Sequence, residues 1–124
     1  MDRPARILIV DDDVDICKML QFYFTNLGYE VQVTYTGAGA IRSVGDVRPD
    51  LIVLDIQLPD SNGYTIARTL RADRYTASIP IIFLSAHSGK EERVAGLELG
   101  ADDFIAKPFD AQELRLRIER ILKS

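Results

Sequence analysis

Apolar residues recur along this chain in two rhythms that alternate from end to end. Short unbroken runs give way to longer stretches whose apolar positions fall three and four apart. Leu51-Ile52-Val53-Leu54 is one unbroken run; it ends on Asp55 and lies between Pro49-Asp50 and Leu58-Pro59-Asp60-Ser61-Asn62-Gly63. Such a run predicts a strand buried on both faces, and double burial predicts a parallel sheet with helices on each side. Arg6-Ile7-Leu8-Ile9-Val10, closed by Asp11-Asp12-Asp13, reads the same way. So does Ile79-Pro80-Ile81-Ile82-Phe83-Leu84, closed by Ser85-Ala86-His87, with Pro80 near the start where a missing N–H is tolerated. Asp103-Phe104-Ile105-Ala106 is shorter and ends at Lys107-Pro108. Glu30-Val31-Gln32-Val33-Thr34 instead alternates, which predicts a less buried strand at a sheet edge.

The intervening stretches predict helices. Ile16, Met19, Leu20, Tyr23, Phe24 and Leu27 share one face, and Gly28 closes that helix as a left-handed cap. Thr36 caps a second helix that turns Ala40, Ile41, Val44 and Val47 inward and is weakened by Gly37, Gly39 and Gly45. After the turn signal Asn62-Gly63, a third helix buries Tyr64, Ile66, Ala67 and Leu70. Ser88-Gly89-Lys90-Glu91 reads as a capping box for a fourth, with Val94 and Leu97 inward and Gly100 as its stop. Asp110 caps the last, which buries Leu114, Ile118, Ile121 and Leu122. Strand followed by helix, five times, predicts one α/β domain over residues 1–124: a doubly wound, flavodoxin-like parallel sheet of order 2-1-3-4-5, with five helices on both faces.

Length and composition agree with a single core: 124 residues, 47% of them hydrophobic. A net charge of −4 argues against direct nucleic-acid contact by this domain. Lone Cys17 excludes an internal disulfide, fits a reducing compartment and reads as a small residue near the core. Met1-Asp2-Arg3-Pro4 lacks a signal peptide's apolar stretch, and no run reaches membrane-spanning length. The expectation is a soluble cytoplasmic domain without membrane contact.

The chemistry lies at the strand ends. An Asp after a strand usually does no more than open a polar turn, and Asp55 alone decides nothing. In a parallel sheet, however, Asp11, Asp12, Asp55, Ser85 and Lys107 all emerge along one edge. Three close carboxylates cannot all stay ionised without a cation. Mg2+ suits them, since it takes oxygen ligands and keeps waters; Mn2+ could substitute, while zinc lacks its cysteines and histidine pair here. Carboxylates, a hard cation, a lysine and a hydroxyl make a phosphoryl-transfer site, with Asp55 as the best-placed nucleophile for an aspartyl phosphate.

The chain resembles a response-regulator receiver domain of two-component signalling. The resemblance is carried by Ile7-Leu8-Ile9-Val10-Asp11-Asp12-Asp13, Leu51 through Pro59, Gly63, Ile81-Ile82-Phe83-Leu84-Ser85-Ala86, Gly100-Ala101-Asp102-Asp103-Phe104 and Lys107-Pro108-Phe109. It covers essentially the whole chain, and the joint order and spacing are specific where single motifs are weak. It implies that Asp55 accepts the phosphoryl group and that Asp12, Asp55 and the Gln57 carbonyl bind Mg2+, with Asp11 holding a metal-bound water. It implies that Lys107 pairs with one phosphate oxygen, while Ser85 and the Ala86 amide bind another. Asp13 takes no such role and favours the following helix dipole. Ser85 stands where threonine is more usual and keeps the hydroxyl. Phe104 stands where tyrosine is frequent and keeps the ring of a switch residue without its hydroxyl. Gln57 and His87 occupy positions that tune hydrolysis in receivers. Lys107-Pro108 is expected to be cis.

The implied partner is a sensor histidine kinase or a histidine phosphotransfer protein. The implied activity is a phosphorylation-activated switch that catalyses only its own phosphorylation and dephosphorylation. The output is a shift of the fourth helix, fifth strand and fifth helix. Receivers of winged-helix transcription factors are the most similar group. They imply a homodimer on phosphorylation through Arg93, Asp102, Asp103, Glu113, Arg117 and Arg120. The crossed pairs would be Arg93 with Glu113, Asp103 with Arg117 and Asp102 with Arg120, beside Val94, Leu97, Ala106 and Leu116. Three rivals fare worse. A flavodoxin-like cofactor binder needs a Ser/Thr/Gly-rich loop where Asp11-Asp12-Asp13 would repel a phosphate. A phosphatase with an aspartyl nucleophile typically has a second acid where Gln57 stands. A docking-only degenerate receiver would have lost some of the five site residues. His87 also reads plainly as an exposed loop residue.

Overall fold

A computed structural model describes residues 3–86 and 89–123. Five strands alternate with five helices: β1 (Arg6–Val10), α1 (Val14–Asn26), β2 (Glu30–Thr34), α2 (Gly37–Asp46), β3 (Leu51–Asp55), α3 (Gly63–Ala72), β4 (Ile81–Ser85), α4 (Lys90–Glu98), β5 (Asp103–Ala106) and α5 (Ala111–Lys123). The sheet runs β2-β1-β3-β4-β5, and every neighbouring pair is parallel. The switch point therefore lies between β1 and β3, as expected from the strand–helix order.

Each strand's composition follows from its place. β3, between β1 and β4, is buried along its whole length, whereas β2 at the edge alternates in exposure. Alternate residues feed two apolar layers. Leu8, Val10, Ile52, Leu54, Ile81 and Phe83 meet Ala40 and Val44 of α2 and Ile66, Ala67 and Leu70 of α3. Ile7, Ile9, Leu51, Val53, Ile82 and Leu84 meet Cys17, Leu20 and Phe24 of α1 and Leu114 and Ile118 of α5. Each such aliphatic side chain stabilises the fold by about 1.5–3 kcal/mol relative to exposure.

The helix starts are built by side chains. Asp13 Oδ1 accepts from the N–H groups of Asp15 and Ile16, Thr36 Oγ1 from Gly39 and Asn62 Oδ1 from Thr65. The Asn62-Gly63 turn signal is thus the cap of α3. Gly28 and Gly100 have φ of 99° and 79°, the left-handed region that follows a helix. Lys107-Pro108 is cis, as expected.

Several expectations about faces change. In α1, Met19 and Leu27 are exposed and Cys17, only 1% exposed, takes a central core position. In α2, Ile41 points outward. In α4, Val94 and Leu97 are exposed, and the buried residue is Gly96, whose α-carbon lies against the rings of Phe83 and Phe104. The helix comes so close that its backbone makes the contact and its apolar side chains stay outside. The cap of α4 is Gly89, which makes no side-chain hydrogen bond; Ser88, read as part of a capping box, lies outside the described residues. β4 starts at Ile81, two residues after the predicted start. There the Asp102 carboxylate accepts from Ile81 N at 3.0 Å, much as Asp50 accepts from Arg6 N at 2.7 Å where β1 begins.

Candidate functional site

β1 and β3 deliver Asp11 and Asp55 to the same edge of the sheet because Val10 and Leu54 are register partners. Carboxylate oxygens of Asp11, Asp12 and Asp55 lie within 4.8 Å of one another. Asp11 is fully buried and Asp55 nearly so, while Asp12 is exposed and opens the cluster to solvent. Lys107, just past β5, places Nζ 2.7 Å from Asp11 Oδ2 and 3.1 Å from Asp55 Oδ2. Its backbone N–H donates to Ser85 O at 2.8 Å, which ties the lysine to the end of β4. Asp11 Oδ1 accepts from Asp13 N at 2.9 Å, and Asp55 Oδ1 from Gln57 N at 3.2 Å. Apart from the Lys107 ion pair, no donor is aimed at the buried Asp11 Oδ2 among the described residues.

The electrostatics follow from this crowding. Burial, then the neighbouring Asp11 charge, holds the Asp55 carboxyl above its ordinary value; Lys107 and the Gln57 N–H oppose this without overcoming it. For Lys107, burial disfavours the cation, but the hydrogen bond and charge of Asp11, with those of Asp55, outweigh it and raise its pKa. The lysine therefore stays charged, one ammonium facing three carboxylates. An oxygen-only donor set with excess negative charge and one solvent-facing side fits Mg2+ or Mn2+. Asp11, Asp12 and Asp55 are the side chains that could hold it.

The other expected residues fall around this cluster. Ser85, the last residue of β4, is buried and faces Ala106 in register. Ala86 is exposed just beyond it and borders a hollow of about 340 Å³ with Ile16, Met19, Lys107, Pro108 and Phe109. Gln57 is exposed and bridges Asn62 across the loop after β3. His87 lies outside the described residues. Phe104 is 4% exposed and packs on Phe83, with the Arg93 guanidinium 5.7 Å from its ring centre. The ring is already inside, so a swing from this conformation would go outward.

The charged residues of the expected dimer face are engaged within the chain. Arg117 pairs with Asp103 at 2.6 Å and with Glu113 at 3.1 Å, and Arg120 pairs with Asp103 at 2.9 Å. Asp102 accepts from Ile81 N and stands 4.0 Å from Arg71. One expected crossed pair, Asp103 with Arg117, is thus made within the chain, because α5 lies close to β5, and Arg120 joins Asp103 instead of Asp102.

Some contacts that shape the site have no sequence signal. Tyr64 OH donates to Glu92 O at 2.9 Å, linking α3 to α4, and its ring stands edge-on to Phe83. The Asp60 carboxylate accepts from Gly37 N and Ala38 N. Neither partner is fixed by a helix or strand period.

Residues 7–119 match the family model for the response regulator receiver domain. The chain belongs to that family. Among curated relatives, the transcriptional regulatory protein GltR of Pseudomonas aeruginosa is 40% identical over 117 residues, covering 94% of this chain and 48% of that protein. The DNA-binding response regulator MtrA of Mycolicibacterium paratuberculosis is 42% identical over 118 residues, covering 95% and 51%. This receiver thus spans about half the length of the curated relatives it matches. Those names accord with the resemblance to receivers of transcription factors. They withdraw support from the expectation that no nucleic acid is contacted. The receiver domain of the Francisella response regulator 1452 superposes with a TM-score of 0.89 at 30% identity, covering 96% of this chain and 97% of that one. The BeF3-activated DrrB receiver domain gives 0.87 at 33% identity, covering 98% and 99%. Among the described residues, no helix is long and apolar enough to cross a membrane.

Proposed function

We propose that this receiver takes a phosphoryl group from a partner's phosphohistidine onto Asp55. A sensor histidine kinase or a histidine phosphotransfer protein would supply it. The observation that carries this reading is the Asp55 carboxylate, nearly buried, held by Lys107 and the Gln57 N–H, with Asp11 and Asp12 beside it. An Asp55 oxygen attacks the phosphorus in line; the phosphorus–nitrogen bond breaks and the imidazole leaves with its electron pair, taking a proton from solvent. Lys107 lies between Asp11 and Asp55, where it can follow a phosphate oxygen. Ser85 and the Ala86 amide, at the end of β4, take another. Bound at Asp11, Asp12, Asp55 and the Gln57 carbonyl, Mg2+ would neutralise charge that the lysine alone cannot.

The product is a two-state switch in which the phosphoryl group favours one arrangement of α4, β5 and α5. Phe104, between Phe83 and Arg93, is its reporter. Water hydrolyses the aspartyl phosphate at a rate set by Gln57 and His87, and no outside substrate turns over. Residues 1–124 act as one such domain, in the cytoplasm, and the phosphorylated form pairs through its α4–β5–α5 face.

Acetyl phosphate with Mg2+ is expected to add one phosphoryl group, seen as a single mass increment of the intact chain. Asp55→Asn is expected to abolish it. Labelling of the Asp55→Asn chain at the native rate would overturn the assignment.

A further inference from the structure

The loop between β3 and α3 carries Gln57, whose carbonyl is proposed as a metal ligand; Gln57 and Asp60 are exposed, while Leu58 between them is half-buried against the core. Its internal bonds run from Leu58 N to Ser61 O at 3.2 Å and from Gly63 N to Ile56 O at 2.7 Å. These close the turn upon itself, and beyond the packing of Leu58 the polar tie to another element is made by Asp60. Its Oδ1 accepts from Gly37 N at 2.8 Å and its Oδ2 from Ala38 N at 3.0 Å, the first two N–H groups of α2. Gly39, the third, donates to its own cap Thr36. One carboxylate from a distant loop thus completes the start of α2, where the helix dipole favours a negative charge.

The fit is close on both sides. A Cβ on Gly37 would stand 2.9 Å from Ile66 Cδ1 and 3.1 Å from Ser61 Cβ, so the helix start presses directly on the loop. The start of α2 follows β2, and Thr34 at the end of β2 accepts from Asp11 N at 3.1 Å. Asp60 therefore joins the loop bearing Gln57 to the segment that holds the Asp11 backbone. An outer group that orients metal ligands sets affinity without touching the metal.

We propose that Asp60 is a positioning residue for the phosphoryl-transfer site: clamped on the Gly37 and Ala38 amides, it fixes the loop that presents the Gln57 carbonyl. The inference rests on the reading of Asp55 as phosphoacceptor with Mg2+ at the acidic cluster.

The test is a Mg2+ titration followed by backbone amide resonances, with urea midpoints measured alongside. The native chain comes first: if its Gln57 and Asp12 resonances do not respond to Mg2+, the site reading itself fails before any variant is needed. Given that response, Asp60→Ala is expected to move the Gly37 and Ala38 resonances without metal. It is also expected to weaken Mg2+ binding about tenfold, the low end of what loss of an outer partner costs. The rate of phosphorylation by acetyl phosphate should fall in step at subsaturating Mg2+ and recover at saturation. Asp60→Asn, which keeps the shape and one acceptor, should fall between. Asp46→Asn removes the same charge from the far end of α2 and should leave affinity as in the native chain. The deficit of Asp60→Ala should also persist at high salt, where a bare through-space charge effect is screened. A lowered urea midpoint with unchanged Mg2+ affinity would make the clamp structural only and overturn the proposal, as would a deficit that vanishes in salt.

Discussion

At the residue scale, the central fact is that Asp55 is held in a place that disfavours its own charge. Burial and Asp11 raise its pKa, so the folded chain keeps that proton more tightly than the unfolded chain does. Below the ordinary carboxylate range both states are protonated and nothing is lost. As pH rises from that range through the raised value, the unfolded chain ionises first, and the metal-free fold loses stability. Above both values the loss is constant. In EDTA at neutral pH, Asp55→Asn is therefore expected to raise the urea midpoint, since Lys107 keeps its 2.7 Å partner in Asp11. Mg2+ should reverse the order. At a hundred times its Kd it stabilises the native chain by about 2.7 kcal/mol, and the variant by less. A metal-free midpoint lowered by Asp55→Asn would contradict this account. These residues were legible in the sequence because each ends a strand and strand ends are set by pattern. Asp60 was not, because its partners are backbone amides of another loop, and only the folded geometry brings them together.

At the scale of elements, the helical period located α1 to α5 but misassigned what some of them bury. The rule assumes that side chains make the contact. In α4 the contact is Gly96, so Val94 and Leu97 stay outside although their spacing looks inward. In α1 the buried stripe is instead rotated onto Cys17, Leu20 and Phe24, and Met19 is left exposed. The closeness of α4 has a measurable consequence. A Cβ on Gly96 would stand 3.0 Å from Phe83 Cδ2 and 3.2 Å from Phe104 Cδ2. Phe83 is fully buried, with Tyr64 and Phe104 against it, and has no room to give. Gly96→Ala gains up to about 1 kcal/mol of helix propensity and loses about 1–3 kcal/mol to overpacking. The expected net is a loss of order 1 kcal/mol, read as a lower urea midpoint, with the Tyr64 OH bond to Glu92 O disturbed as α4 is pushed off. A stabilised variant would mean that the rings yield more freely than their burial implies.

At the scale of the whole molecule, the proposed output face is carried by exposed residues of α4 and α5. Val94, Leu97 and Leu116 are exposed, Leu97 by 56%. Removed from the core, they become the apolar part of a surface that also carries Arg93, Glu113, Arg117 and Arg120. Within one chain Asp103 satisfies Arg117 and Arg120, so a dimer through this face must exchange bonds rather than make new ones. Exchanging one ion pair of Asp103 for another of the same kind gains little by itself, since equivalent bonds are broken and made. The free energy of association must then come from the apolar residues, with the charges setting orientation. It follows that the unphosphorylated chain should be monomeric and the beryllofluoride-loaded chain dimeric in sedimentation velocity. Arg117→Glu places a carboxylate beside Asp103 and Glu113 and should abolish the dimer; it also breaks a half-buried ion pair, so the urea midpoint is measured alongside to confirm that the chain stays folded. Leu97→Ala should weaken the dimer and leave the fold's stability nearly unchanged, because an exposed side chain contributes little to the core. A dimer that persists through both substitutions would place the interface elsewhere. A Leu97→Ala chain that unfolds readily would return that residue to the core.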